Sequence, residues 1–440
     1  MGLDGCKVAT FAAATSKLMC RWVAVGEKPH MSLGFESLNR ENVFTPEQEL
    51  LWCAARQGLN EHAVDRIEEI LRAGVEWSGV LYHAQRHRLV PMLYHGLTAS
   101  CARLVPPPQL AILKSLSQRA VGQGLFLVAE MLRILETFRK EGITAVAFKG
   151  PVLAELAYRS VALRQFDDLD ILVSESDVFR ARRLLLSQGY QISKLYNFFG
   201  DKHHLRWRCA FSLEHHKTHV HVDLHWKFTK PGFSFPFDTN SLLKRLVVVQ
   251  VGGREVLSFP IEDVVLLHCV HGAKHLWNRL EWIYSLDRLV STHSYLDWAR
   301  ICGEAKKLRS ERMLLLGLAV ARCFYMTDLP GWVVQKIEAD RFLPSLTRSV
   351  RGAVFFDEAL QVHEARRGAF HLRTREKWRD RLRCFLYFVQ LRLRPTEQDR
   401  KAVRLHRSLS FVYYMLRPLR LVWVYGLQPL RSFLHELRSR

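Results

Sequence analysis

The hydrophobic pattern changes period twice along the 440-residue chain, and this constrains the fold more than any single motif does. Apolar residues recur at helical spacing through Ile67–Leu71, Leu81–Leu93 and Leu110–Phe138, and the first helix is announced by Thr45, Pro46, Glu47 and Glu49 as cap, N1 proline and first-turn acids. After Gly142 the runs become short and alternate, and from Ile261 the helical period returns. Helices, then strands, then helices again predict an α+β fold in which a small mixed β-sheet core is flanked by N-terminal and C-terminal helical domains. The expected divisions are a poorly ordered N-terminal extension over 1–43, a helical domain over 44–138, the sheet-bearing core over 139–260, and a basic helical domain over 261–440.

Within the core, Ile143–Phe148 reads as a buried strand that runs through Lys149-Gly150-Pro151 into a helix from Val152 to about Tyr158. Leu169–Val173 reads as a second strand, followed by a helix from Ser176 to Ser187 that Gly189 ends. His219–Trp226 alternates strictly, with Val220, Val222, Leu224 and Trp226 on one face and His221, Asp223 and His225 on the other. Val247–Val251 and Glu255–Ser258 flank Gly252-Gly253 as a hairpin.

Asp168 and Asp170 stand two apart at the start of a strand, so the pleat puts both carboxylates on one face. Two like charges so placed repel unless a cation lies between them, and hard oxygen donors suit Mg²⁺. Asp223 adds a third carboxylate from a strand whose other face is apolar. The plainer reading of an isolated Asp-x-Asp is a pair of solvated turn caps. Against it stands the context: a strand, a Lys-Gly turn and a helix just before, and an acid in an alternating strand after.

In that order, Phe148-Lys149-Gly150, Tyr158, Arg164, Asp168-Leu169-Asp170-Ile171-Leu172-Val173, Gly189-Tyr190 and Val222-Asp223-Leu224-His225-Trp226 make a chain that resembles an uncharacterised nucleotidyltransferase family of the polymerase-β superfamily. The likeness extends through Leu266–His271, His275–Trp277, Arg394-Pro395-Thr396 and Tyr413–Pro418, and spans about Thr45 to Gly426. It implies a nucleotidyltransferase core that binds a nucleoside triphosphate over the glycine turn, with Mg²⁺, and moves a nucleoside monophosphate to an acceptor hydroxyl on a small molecule, sugar or protein. By position, Asp168, Asp170 and Asp223 match the metal-binding and catalytic acids, and Gly150 matches the glycine of the phosphate turn. Pro151 stands where the wider superfamily has Gly or Ser, which removes a hydroxyl and leaves Lys149 and Arg164 as the expected nucleotide-binding cations. Two alternatives remain: a non-catalytic nucleotide sensor or scaffold with this fold, and a transferase that extends RNA.

Other groupings have more ordinary explanations. His268, His271 and His275 share a helical face, which fits core or cleft histidines better than zinc. His221, Asp223 and His225 have the composition of an iron triad, but that leaves the Lys-Gly and Asp-x-Asp units unexplained. Trp277, Trp282 and Tyr284 read as core rather than as a base-stacking surface.

The formal net charge of +21 calls for anionic partners, and much of it lies between His363 and Arg440, where 19 Lys/Arg face 6 Asp/Glu. There Arg373, Arg375, Lys377, Arg379, Arg381 and Arg383 alternate with Trp378, Leu382, Phe385 and Leu386. Such a basic amphipathic helix suits solvent, an acidic partner or a membrane surface, with nucleic acid less favoured because no nucleic-acid module is readable. Nine scattered cysteines without a C-x-x-C pair, and no long apolar run, lead to the expectation of a cytoplasmic protein without a transmembrane segment.

Overall fold

The structure is a computed structural model, and it describes residues 44–192, 205–230, 233, 235–355, 364–393, 403 and 412–422. The extension over 1–43 lies outside the described residues. Four helices open the described chain: α1 (Pro46–Ala54), α2 (Glu61–Ala73), α3 (Trp77–Arg86) and α4 (Val90–Ser100). The start of α1 is a capping box: the Thr45 hydroxyl accepts from the Gln48 amide while the Gln48 side chain accepts from the Thr45 amide. A 34-residue helix, α5 (Pro107–Lys140), then leads into the sheet.

The sheet runs β1 (Ala145–Ala147), β2 (Asp168–Val173), β5 (His221–His225), β4 (Ala210–His215), β3 (Tyr190–Ile192) in spatial order. It is mixed, since β2 pairs parallel with β5 and the other pairings are antiparallel. The helix α6 (Gly150–Tyr158) joins β1 to β2, and α7 (Val178–Ser187) follows β2. After a short helix α8 (Thr239–Leu243), β6 (Val247–Val251) and β7 (Arg254–Ser258) form the separate hairpin expected around Gly252-Gly253.

The pleat sorts the sheet into an apolar face and a chemical one. Leu169, Ile171 and Val173 of β2, Val222 and Leu224 of β5, and Phe211 and Leu213 of β4 share one core with Leu127, Met131, Ile134 and Phe138 from the second half of α5. The alternate residues of β2 and β5 are therefore left facing away from that core. Of the expected alternation, Val220, Val222, Leu224 and Trp226 are all buried.

The chain continues through α9 (Ile261–Lys274), α10 (Leu280–Thr292), α11 (Trp298–Lys307), α12 (Glu311–Tyr325), α13 (Gly331–Ala339), α14 (Leu343–Phe355), α15 (Glu364–Arg373), α16 (Trp378–Leu393) and α17 (Val412–Val422). The first helices pack on these later ones: Trp52 Nε1 donates to the Phe324 carbonyl and Gln48 Nε2 to that of Phe355, both at 3.0 Å. Trp277, fully buried as the core reading expected, presses its indole against Gly272 of α9 and Gly317 of α12. A Cβ at either glycine would stand 2.4 and 2.8 Å from that ring, respectively, so only glycine admits the close approach.

The expected basic amphipathic helix is interrupted: Arg373 ends α15, Arg375 and Lys377 lie in the break, and α16 begins at Trp378. Arg375 lies in the break before α16 and is fully buried, its guanidinium 4.2 Å from the Phe233 ring centre. Trp378, Leu382, Phe385 and Leu386 of α16 are exposed. No helix among the described residues is long and apolar enough to cross a membrane.

Candidate active site

The parallel pairing of β2 with β5 sets Asp168 opposite His221 and Asp170 opposite Asp223. Because side chains alternate, Asp168, Asp170, Asp223 and His225 all rise on the sheet face away from the core. Asp170, Asp223 and His225 each offer one donor atom, and the three atoms lie within 4.8 Å of one another. The sequence offered His225 as part of the polar face and, with His221 and Asp223, as an iron triad; it joins the acids without His221, because it stands two residues beyond Asp223 on the same strand. His221, at the other end of β5, is exposed and stands outside this group.

Asp170 is the centre. Its Oδ1 accepts from Lys149 Nζ and pairs with His225 Nε2, both at 2.9 Å. Burial alone would raise its pKa, but the Lys149 charge and the His225 hydrogen bond outweigh that and hold the carboxyl well below the usual range. For His225 burial works against protonation, and the bonds to Asp170 and to the Cys209 thiol overcome it, raising the imidazole to about 9. Asp168 goes the other way: burial and then the nearby Asp170 charge push it up, against the opposing pull of Lys149 and Arg88. The repulsion anticipated for the Asp-x-Asp pair is thus present, and it falls on Asp168.

The turn before α6 supplies the wall facing these acids. Gly150 has φ +50°, and a Cβ there would meet the Asp168 carbonyl oxygen at 3.4 Å, so the turn needs the residue that adopts this conformation without strain. Lys149, just before it, sends its amine to Asp170 as described. Pro151 occupies the first turn of α6, where a missing amide hydrogen costs nothing.

Arg164 is placed otherwise than as a free phosphate-binding cation. Its guanidinium is buried, with Nε 2.7 Å from Glu281 Oε1 and Nη1 3.3 Å from the Gly150 carbonyl. Glu281 also accepts from Ser285 at 2.6 Å, and Ser285 pairs with the Tyr158 hydroxyl at 2.8 Å. This network ties both ends of α6 to α10.

Two cations that the sequence did not single out stand beside the acids. Arg88, in a left-handed conformation between α3 and α4, pairs with Asp167, and Arg279 feels the charges of Asp167 and Asp168 while resting 5.2 Å from the Trp282 ring centre. Nothing local marks Arg88, which lies 80 residues before Asp168 and arrives only through the packing.

The three helix histidines form no metal group with one another among the described residues. His268 Nε2 meets the Trp282 carbonyl at 2.8 Å, and burial lowers its pKa to about 4 and that of His275 to about 3. These are neutral, packed imidazoles.

A divalent cation fits the acids. The donor set combines the carboxylates of Asp170 and Asp223 with the His225 imidazole; Asp168 stands outside that group, on the same face, with a charge that burial and Asp170 disfavour.

A family model described as an uncharacterised nucleotidyltransferase matches residues 73–326, which takes in all of the sheet and the site. The chain belongs to that family. Neither a curated protein nor a solved structure matches it.

Proposed function

We propose that this protein is a polymerase-β-like nucleotidyltransferase that binds a nucleoside triphosphate with Mg²⁺ and transfers a nucleoside monophosphate to an acceptor hydroxyl on a small molecule, sugar or protein. The observation that carries the reading is the lateral register of Asp170 with Asp223, with Asp168 on the same face and the Lys149-Gly150 turn against them. Asp168, Asp170 and Asp223 would hold the cation, with His225 beside them. When bound, Mg²⁺ neutralises charge on the phosphoryl oxygens and on the departing pyrophosphate.

In the transfer, a bond forms between the acceptor oxygen and the α-phosphorus while the bond from that phosphorus to the bridging oxygen breaks, and pyrophosphate leaves. The acceptor's proton passes to a carboxylate, a task that suits Asp223 on its separate strand. Lys149 offers an ammonium to the phosphates, and Gly150 lets the backbone approach them. Arg164 takes a positioning role here, holding the Gly150 carbonyl and α10 rather than the nucleotide.

Calorimetry with each of the four triphosphates and Mg²⁺ tests the reading: at least one should bind, and binding should need the metal. No heat with any of them would discard it. A second reading, a nucleotide sensor without transfer, draws on Pro151; it predicts binding with no label passed from triphosphate to acceptor in cell extract, and label found in RNA would mark the RNA-extending alternative.

A further inference from the structure

Next to the acids, on the side of α9, lies a narrow cavity whose walls are chemically one-sided. His225 of the acid cluster lines it together with Phe148, Phe228, Lys149, His271 and Lys274, and no Asp or Glu does. Its volume is about 40 Å³. On the scale where one water needs roughly 10–15 Å³, this is room for three or four waters or one tetrahedral oxyanion, and far too little for a nucleoside.

One cation there lacks a partner of its own. Lys149 is shared with Asp170, but Lys274 makes no hydrogen bond or ion pair among the described residues and is half-buried. Burial, with the Lys149 and Lys230 ammonium groups, disfavours the Lys274 charge against the pull of Cys209 and Asp170. His271 likewise makes no side-chain hydrogen bond among the described residues; it touches the His275 and Trp282 rings and faces Lys149 and Lys274. An ammonium group without a partner, close to a second one, is disfavoured in a partly desolvated space until an anion joins it, and a neutral imidazole beside it can donate its N–H to that anion.

We propose that this cavity is an oxyanion subsite that seats a phosphoryl group, with Lys274 and His271 as its ligands beside Lys149. The group comes either from the triphosphate tail of the nucleotide or from a phosphorylated acceptor. Assigning it to a substrate rests on the nucleotidyltransferase reading; the cavity's affinity for phosphate does not.

The probe is inorganic phosphate, titrated by calorimetry into the full chain in EDTA so that no metal takes part. Lys274→Met keeps the aliphatic volume and removes the charge, and it should weaken phosphate binding by about 10- to 100-fold, the range of a charge-assisted contact. Lys274→Arg should restore most of the affinity. On the wild-type protein, phosphate should also protect Lys274 from an amine-acylating reagent, read by peptide mass spectrometry, which covers the case in which Lys274→Met does not fold. The source of the group follows from Mg²⁺-nucleotide titrations of Lys274→Met: affinity lost for the triphosphate but kept for the monophosphate points to the tail, and both kept while phosphate is lost points to the acceptor. Phosphate binding that is undetectable in the wild type, or unchanged in Lys274→Met, overturns the subsite. Neither result touches the Mg²⁺-triphosphate titration on which the proposed activity stands.

Discussion

Replacing Arg164 with Met keeps the side chain's reach but deletes the guanidinium that joins the Gly150 carbonyl to Glu281. Both side chains of the ion pair are nearly sealed, 7% and 2% exposed, so solvent offers little compensation. Glu281 would keep only the Ser285 hydroxyl, and its Oε2 already has no hydrogen-bond partner among the described residues. Breaking a buried pair from one side costs about 3–5 kcal/mol. With an unfolding entropy of about 2.1 cal/mol/K per residue over roughly 400 residues, that loss lowers Tm by about 4–6 °C. Differential scanning calorimetry of Arg164→Met measures it, and Arg164→Met/Glu281→Leu, which removes both charges, should recover most of the loss. The expected change in triphosphate affinity is small, within about 3-fold, because the guanidinium is engaged by Glu281 and the Gly150 carbonyl. If Arg164→Met melts within 1 °C of the wild type while its triphosphate affinity falls more than about 10-fold, Arg164 is a phosphate ligand and the positioning role is refuted.

Asp168→Asn should raise the metal-free Tm slightly, since it relieves repulsion from Asp170 of about 1 kcal/mol, and should abolish the Mg²⁺-triphosphate stabilisation; Asp167→Asn, which loses the pair with Arg88, should keep that stabilisation, and the reverse pattern would show the strand register to be misread. Because Asp168 is raised in the fold, its ionisation weakens the native state as pH climbs past the ordinary carboxylate value, so the gain from Asn should vanish in acid. His225 is raised from 6.5 to about 9, so its contribution is complete below the lower value and is lost as pH rises through the upper one. In EDTA the wild-type Tm should therefore fall between about pH 7 and 9.5 more steeply than that of His225→Gln, and parallel curves would count against the Asp170–His225 pair. Gly150→Ala should cost about 1–2 kcal/mol from its left-handed backbone, read by denaturant titration, and a neutral result would mean that the turn relaxes freely.

Much of the sheet was legible because its elements carry local signals. The Gly150 turn, the Asp168–Val173 strand, the alternation ending at Trp226 and the hairpin around Gly252-Gly253 each follow from period and turn chemistry. The alternating β4 was within reach of the same rule, since Phe211 and Leu213 face the core and Ser212 and Glu214 alternate with them, yet it was not anticipated; β3 is only three residues long and too short to show a period. The resemblance to a nucleotidyltransferase family was also readable and agrees with the family match over residues 73–326. What the sequence hid were facts of packing between distant segments. Arg164 looked available until Glu281, 117 residues away, was seen to claim it, and Arg88 carries no mark of its proximity to Asp167. Arg375 read as one of a row of surface arginines, although its neighbours in space are Phe233, Thr374 and Met313. Charge patterning finds a basic stretch but neither the break within it nor which of its arginines turns inward.

The most direct test of the account follows the two ends of the triphosphate separately. Protein with Mg²⁺ and cell extract is incubated with nucleoside triphosphate labelled at the α-phosphate or at the γ-phosphate, with Asp170→Asn as the control. A nucleotidyltransferase predicts that α-label enters an acceptor while γ-label leaves as pyrophosphate, and that Asp170→Asn lowers the transfer at least about 100-fold, since the charge it removes acts mainly in the transition state. Transfer of the γ-label, or α-label transfer that Asp170→Asn leaves intact, would contradict it.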